Sequence, residues 1–294
     1  TVAKLAIIQP AHTSQQRLKS STESMPINKG HFDMDTPERV ASFHSRLAHG
    51  WPQEEYKAYR SAWISEPQQK NIRDYPILVD IEMASSCNLR CPMCYTTTEH
   101  FKKNVKRKVM KYDLFKKIID EVAGKVYAVR LSLRGEPTLH KKFVEAVAYA
   151  KESGIREVSF LTNGWCLDLD YFKRLVDAGA DWITVSFDGV HETYNEIRKP
   201  LKYKDTVANL KAIADYKREN GITKPVVKVQ GIWPAIQNDV VEYYDTLAPI
   251  TDLVAYNPLI DYLDNDTDLV YEDRFSCPQL YQRLVITSTG EAVM

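Results

Sequence analysis

From position 76 onward, two hydrophobic patterns alternate along the chain. Short runs rich in β-branched and aliphatic residues predict strands: ILVDIEM at 77–83, VYAVRLSL at 126–133, REVSFLT at 156–162, WITVSF at 182–187, VVKVQGI at 226–232 and LVAYN at 253–257. Between them lie YDLFKKIIDEVA (112–123), HKKFVEAVAYAKES (140–153), DLDYFKRLVDA (168–178) and KDTVANLKAIADYKRE (204–219). Their apolar residues recur every three or four positions, the period of a helix with one buried face. Such alternation makes βαβ units around a parallel sheet. Six repeats over about 180 residues fall short of the eight that close a full barrel of about 250, which leaves an incomplete barrel or an open sheet.

The first 75 residues read differently. Residues 11–35 are polar, poor in aliphatics and without period, the composition of an arm or a disordered leader. Thr36-Pro37 then reads as a helix start, Thr as N-cap and Pro at the first helical position, with Val40, Phe43 and Leu47 on one face and Gly50 ending it. A second helix is expected after Pro52, where Tyr56, Tyr59 and Trp63 make a stripe better suited to packing than to a cofactor box. The expected fold class is thus α/β, a partial (β/α)6 TIM-like barrel at 76–262 with an N-terminal arm and helical extension at 1–75.

Charge narrows the function. The 294 residues balance 39 Lys and Arg against 39 Asp and Glu, which argues against a protein that coats nucleic acid or anionic membrane. No window approaches the roughly 18 apolar residues of a membrane span, and the opening TVAKLAIIQP has only a short run stopped by Pro10. Neither anchor nor export signal is visible. Five cysteines are an odd number, and Cys87, Cys91 and Cys94 fall within eight residues, poor geometry for disulfides. The expected setting is a reducing, cytoplasmic one with thiolates used for metal.

Those three cysteines form the loop Cys87-Asn88-Leu89-Arg90-Cys91-Pro92-Met93-Cys94, directly after the first predicted barrel strand. Three thiolates on one short loop can hold three corners of a metal cluster and leave a fourth position open. The rival arrangement is a closed zinc site with His100 as fourth ligand, in a binding protein without catalysis. Chance grouping of buried thiols is the third.

Four further motifs bear on the choice. Arg134-Gly135-Glu136-Pro137 ends the second predicted strand, Thr162-Asn163-Gly164 the third and Ser186-Phe187-Asp188-Gly189 the fourth, with Glu196-Ile197-Arg198 beyond. Together with CNLRCPMC, this order resembles the radical S-adenosylmethionine (radical SAM) enzymes over about residues 75–260. Arg134 stands where the family's GGEP element has its first Gly, and Met93 where many members carry an aromatic. The resemblance implies a [4Fe–4S] cluster on Cys87, Cys91 and Cys94. Its open iron would chelate the amine and carboxylate of S-adenosylmethionine, and reductive cleavage would give a 5′-deoxyadenosyl radical that abstracts a substrate hydrogen. It also implies cofactor contacts by Gly135, Glu136 and Pro137 (backbone carbonyls to the ammonium), Arg198 and Ser186 (donors to the carboxylate), Asn163 and Asp188. If only backbone is used, Arg134 in place of Gly matters little beyond narrowing the approach.

Cys277-Pro278-Gln279-Leu280, Leu284-Val285-Ile286 and Thr289-Gly290-Glu291 resemble the opening of the family's SPASM or twitch cap, which holds auxiliary iron–sulfur clusters. Residues 263–294 are accordingly read as linker and start of such a cap. Beyond the loop only Cys166 and Cys277 remain, fewer than the four thiolates a further cluster takes, so an auxiliary cluster is expected only in a longer native chain.

Other candidates carry less. Lys228 and Gln230 share a face of their strand and so point together toward either the barrel or the helices. Cys166, near the predicted mouth, is a candidate hydrogen-atom donor, though a lone Cys more often serves as a small buried hydrophobe. His140 reads as a helix start. KKNVKRKVMK at 102–111 holds six Lys or Arg, a solvated face, a docking patch for an acidic electron donor such as a flavodoxin or ferredoxin, or an attractor of anionic substrate. The substrate is expected to be a small carbohydrate-like metabolite, anionic or neutral, with maturation of a ribosomally made peptide by crosslinking, oxidation or epimerisation as the alternative.

Overall fold

The computed structural model describes residues 32–258 and 276–293. The chain enters through β1 (Phe32–Asp33) and two helices, α1 (Pro37–Ala48) and α2 (Gln53–Gln69). Thr36 caps α1 as its sequence predicts, its hydroxyl accepting the Arg39 amide at 3.4 Å. Residues 11–31 of the expected leader lie outside the described residues. Residues 32–35 correct that reading, because they belong to the fold. β1 pairs antiparallel with residues 255–256, and Met34 is buried. The Asp35 carboxylate accepts from Arg39 (2.6 Å), Tyr244 (2.9 Å) and the Val254 amide (2.6 Å). A short polar segment holds here through these long-range bonds, which no local period reveals.

The barrel follows with β2 (Leu78–Ile81), α3 (Glu99–Asn104), α4 (Tyr112–Val122), β3 (Ala128–Arg130), α5 (Phe143–Glu152), β4 (Glu157–Thr162) and α6 (Leu169–Asp177). Then come β5 (Trp182–Ser186), α7 (His191–Ile197), α8 (Tyr203–Glu219), β6 (Val226–Ile232), α9 (Trp233–Ile236), α10 (Val240–Leu247) and β7 (Leu253–Asn257). The six strands β2 to β7 lie parallel and in chain order, the partial (β/α)6 barrel that the alternation predicts. β2 is shorter than its apolar run because the chain past Ile81 pairs with the segment before α4 instead, Met110 N–H to Met83 O at 2.9 Å and Ser85 N–H to Lys108 O at 2.9 Å.

Alternation along each strand splits the sheet into two chemistries. Val79, Val129, Val158, Phe160, Ile183, Val185 and Val229 join the main core with Phe115, Phe143 and Phe172 of the helices. The other, concave face carries Asp80, Arg130, Ser159, Thr184 and Lys228. At the amino-terminal end of the barrel, α1 and α2 close this face. Tyr59 packs with Ile77, Leu78 and Ala128, and Phe43 and Leu47 pack with Val226 and Leu253. Tyr56, Tyr59 and Trp63 are packing residues, Tyr59 stacked on Trp51 at 5.2 Å.

β8 (Arg283–Ile286) and β9 (Ala292–Val293) form a hairpin. The segment that resembles a cap opening does not stand apart from the barrel. β8 pairs parallel with β2, Leu78 opposite Arg283 through Ile81 opposite Ile286, and so extends the sheet beyond its first barrel strand. No described helix is long and apolar enough to cross a membrane.

Candidate active site

The cysteine loop leaves β2 at the carboxyl end of the barrel strands. Cys91 is buried, and Cys87 and Cys94 are half-buried. Cys87 Sγ accepts from the Leu89 amide at 3.4 Å and from Asn163 Nδ2 at 3.6 Å, while Cys94 Sγ lies 3.1 Å from Thr96 Oγ1. Burial pushes the Cys87 thiol up, and pushes Cys91 up to about 11 although the Arg198 charge opposes it. Charge on Cys87 and Cys94 adds to the rise at Cys91, so the three thiols sit within one another's field.

Among the described residues, no three His, Cys, Asp or Glu side chains converge on a single ion. His100 stands exposed on α3, its ring 6.1 Å from that of Tyr95, and it does not complete a four-ligand zinc site with the thiols. Three thiols from one loop, close but not collapsed onto one point, fit a cubane [4Fe–4S] cluster, which takes each thiolate on a separate iron.

Three strand-end motifs converge on this loop. Gly135 is required by close approach: its φ is +60°, and a Cβ there would lie 2.5 Å from both Ala84 O and Ser86 O. The Glu136 amide donates to Ser86 O at 2.8 Å, locking the motif against the cysteine loop. The buried Glu136 carboxylate accepts from Thr138 Oγ1 (2.6 Å), Thr162 Oγ1 (2.7 Å) and the Asn163 amide (2.6 Å). Asn163 in turn donates to Asn88 Oδ1 at 2.8 Å. The Glu136 and Pro137 carbonyls already accept from the Leu139 and His140 amides, whereas no donor among the described residues reaches the Gly135 carbonyl.

Asp188 and Arg198 form the other side. Arg198 caps the C-terminus of α7, is 8% exposed, and brings Nη2 to 2.5 Å from Asp188 Oδ2, while Asp188 Oδ1 accepts the Ile232 amide at 3.0 Å. Arg198 Nε and Asp188 Oδ2 are buried without an aligned hydrogen-bond partner. An unused guanidinium edge beside Cys91 fits a cofactor carboxylate.

The structure sorts the remaining candidates. Ser186 ends β5 and pairs in register with Gln230, so both lie on the concave face with Lys228. Cys166 lies beyond β4, half-buried, between exposed Trp165 and buried Leu167. His140 is a tie between segments, Nε2 facing Met110 O at 3.0 Å. Arg134 corrects the reading that its side chain matters little. It forks onto buried Glu82, Nε to Oε1 at 2.6 Å and Nη2 to Oε2 at 2.9 Å, and Glu82 also accepts the Ser288 amide at 2.9 Å. Glu82, Asn88, Asp80 and Arg130 are site neighbours that motif reading missed. The strand's own two-residue period, Asp80 to Glu82 and Arg130 to Ser132, was the available signal.

The comparisons agree with this arrangement. Residues 81–232, just over half of the chain, match the Radical SAM superfamily. The chain is 33% identical over 126 residues to the Fe-coproporphyrin III synthase of Methanosarcina barkeri, covering 43% of this chain and 31% of that protein. It is 30% identical over 153 residues to the tungsten-containing aldehyde ferredoxin oxidoreductase cofactor-modifying protein of Pyrococcus furiosus, covering 51% and 42%. Its matches thus span less than half the length of these two curated relatives. In fold it is similar to Streptococcus suis SuiB bound to S-adenosylmethionine, with a TM-score of 0.54 at 13% identity over 82% of this chain and 64% of that one. With the thiol loop and the strand-end motifs gathered at one end of a partial barrel, the chain belongs to the radical SAM superfamily.

Proposed function

We propose that this chain forms the catalytic barrel of an enzyme that removes a hydrogen atom from a small, anionic carbohydrate-like metabolite seated on the concave face. The observation that carries the reading is the junction at Asn163 and Glu136, which ties the cysteine loop to the ends of β3 and β4. When bound, a [4Fe–4S] cluster and S-adenosylmethionine supply the reductive cleavage and the hydrogen-atom abstraction. Cys87, Cys91 and Cys94 would hold the cluster. The Gly135 carbonyl would accept from the cofactor ammonium, and Arg198 would hold its carboxylate, Asp188 orienting the guanidinium. Ser186 and Gln230 border the space below, and α1 and α2 exclude water from its far end.

Anaerobically reconstituted protein with dithionite and S-adenosylmethionine is expected to release 5′-deoxyadenosine. Cys87→Ala, Cys91→Ala or Cys94→Ala should each abolish visible absorbance and cleavage, while His100→Ala spares both. Retained cleavage in any Cys variant overturns the assignment. For the substrate, deuterium should pass into 5′-deoxyadenosine from a deuterated sugar phosphate or sugar acid. Transfer only from a deuterated peptide replaces the metabolite reading with peptide maturation.

A further inference from the structure

We propose that the concave face carries an anion subsite, built by Arg130 and Arg283 around Asp80 with Lys228 across the face, that holds a phosphate or carboxylate group of the substrate. The inference rests on the hydrogen-abstraction reading and names the substrate chemistry of that same barrel. Register places the groups: Asp80 is opposite Arg130, Arg130 opposite Ser159 and Thr184 opposite Lys228, all on the face turned from the helices. Arg283 enters from β8, opposite Leu78 on β2.

Two guanidiniums share one carboxylate. Arg130 Nε stands 2.6 Å from Asp80 Oδ1 without the alignment of a hydrogen bond, and Arg283 Nη1 stands 3.7 Å from Asp80 Oδ2. Each guanidinium has five N–H donors, more than this carboxylate can satisfy for both. Nε of Arg130 and Nε of Arg283 are buried without an aligned acceptor, yet the two side chains keep 33% and 23% of their surface open while Asp80 keeps 2%. The cations are therefore the reachable part of the cluster.

Lys228, buried with its ammonium 5.7 Å from the Trp182 ring, adds a third cation. Burial pulls its amine down to about 8, and among the described residues the charges of Asp33 and Arg130 act on it in opposite directions. Glu157 sits nearer the closed end, hydrogen-bonded to Tyr59. Among the described residues, the guanidiniums of Arg130 and Arg283 share the single Asp80 carboxylate, a positive excess in a half-dry space that an incoming anion offsets. The planar forks of Arg130 and Arg283 match a phosphate or a carboxylate equally.

Calorimetric titration of the anaerobically reconstituted protein with inorganic phosphate, and separately with acetate, tests the subsite. One of the two should bind saturably, identifying the group. Lys228→Gln, and the paired Arg130→Gln/Asp80→Asn variant that leaves no buried charge alone, should each weaken binding about tenfold or more, and Lys228→Arg should retain it. Binding of neither anion, or equal binding by all variants, overturns the subsite. S-adenosylmethionine titrated into the same samples separates the two ideas. Intact cofactor binding with no anion binding sinks the subsite alone, whereas failure of wild-type protein to bind the cofactor sinks the reading beneath it.

Discussion

Glu157 combines near-complete burial with a carboxyl that titrates near neutrality. Its Oε1 accepts from the Tyr59 hydroxyl at 3.2 Å, and burial, with Asp181 adding, raises its pKa from 4.5 to about 7. Between those values the folded protein binds more protons than the unfolded chain, so stability falls as pH rises through that window. Glu157→Gln should flatten this slope and raise stability above pH 7 by as much as about 3 kcal/mol, read from urea unfolding at pH 5 and pH 8. Gly135 is the opposite case, a residue defined by what cannot be added. Gly135→Ala must move the Ala84 and Ser86 carbonyls, each 2.5 Å from the new atom. It should destabilise by about 2 kcal/mol or more and lower iron content after reconstitution, measured by melting and metal analysis.

Among elements, the C-terminal hairpin and the Gly135 turn are coupled through Glu82. Arg134 and the Ser288 amide both donate to this fully buried carboxylate, so one side chain joins β2, the end of β3 and the turn between β8 and β9. Arg134→Ala leaves a buried charge with one amide donor, and a loss of about 3 kcal/mol is expected in urea unfolding. Hydrogen exchange should quicken at the amides of 284–288 in the same variant. Glu82→Gln together with Arg134→Met should recover most of the loss, whereas equal damage in the double variant would show that Glu82 does not mediate the coupling.

At the scale of the molecule, the even charge balance hides an uneven distribution. Lys102 and Lys103 on α3, then Lys106, Arg107 and Lys108, stand exposed immediately after the cysteine loop. Lys102 pairs with Glu99 at 2.6 Å, and the others extend the patch toward a cavity of about 490 Å³ lined by Lys106, Lys108, Arg134 and Ser288. If this face docks an acidic flavodoxin or ferredoxin, replacing these cations by Gln should slow reduction by that protein and flatten its salt dependence. Turnover with dithionite should be unchanged. Equal loss with both reductants would assign the patch to substrate or folding instead.

Strand order, the helix face of the sheet and the gathering of motifs at one end were legible in the sequence, because each follows from a local period or from residues adjacent in the chain. The Thr36 cap and the packing role of the Tyr56–Trp63 stripe are legible for that reason. Only the tertiary structure decided which distant residues meet. Phe32–Asp35 holds to β7, β8 docks on β2, Arg134 turns to Glu82, and Asp80 draws Arg130 and Arg283 into one cluster. Each of these contacts joins polar groups far apart in the chain, and a charged residue alone looks the same whether it faces water or a buried partner. The local sequence specifies period and capping, whereas the closing of the sheet specifies which charges must share a space with little water to screen them.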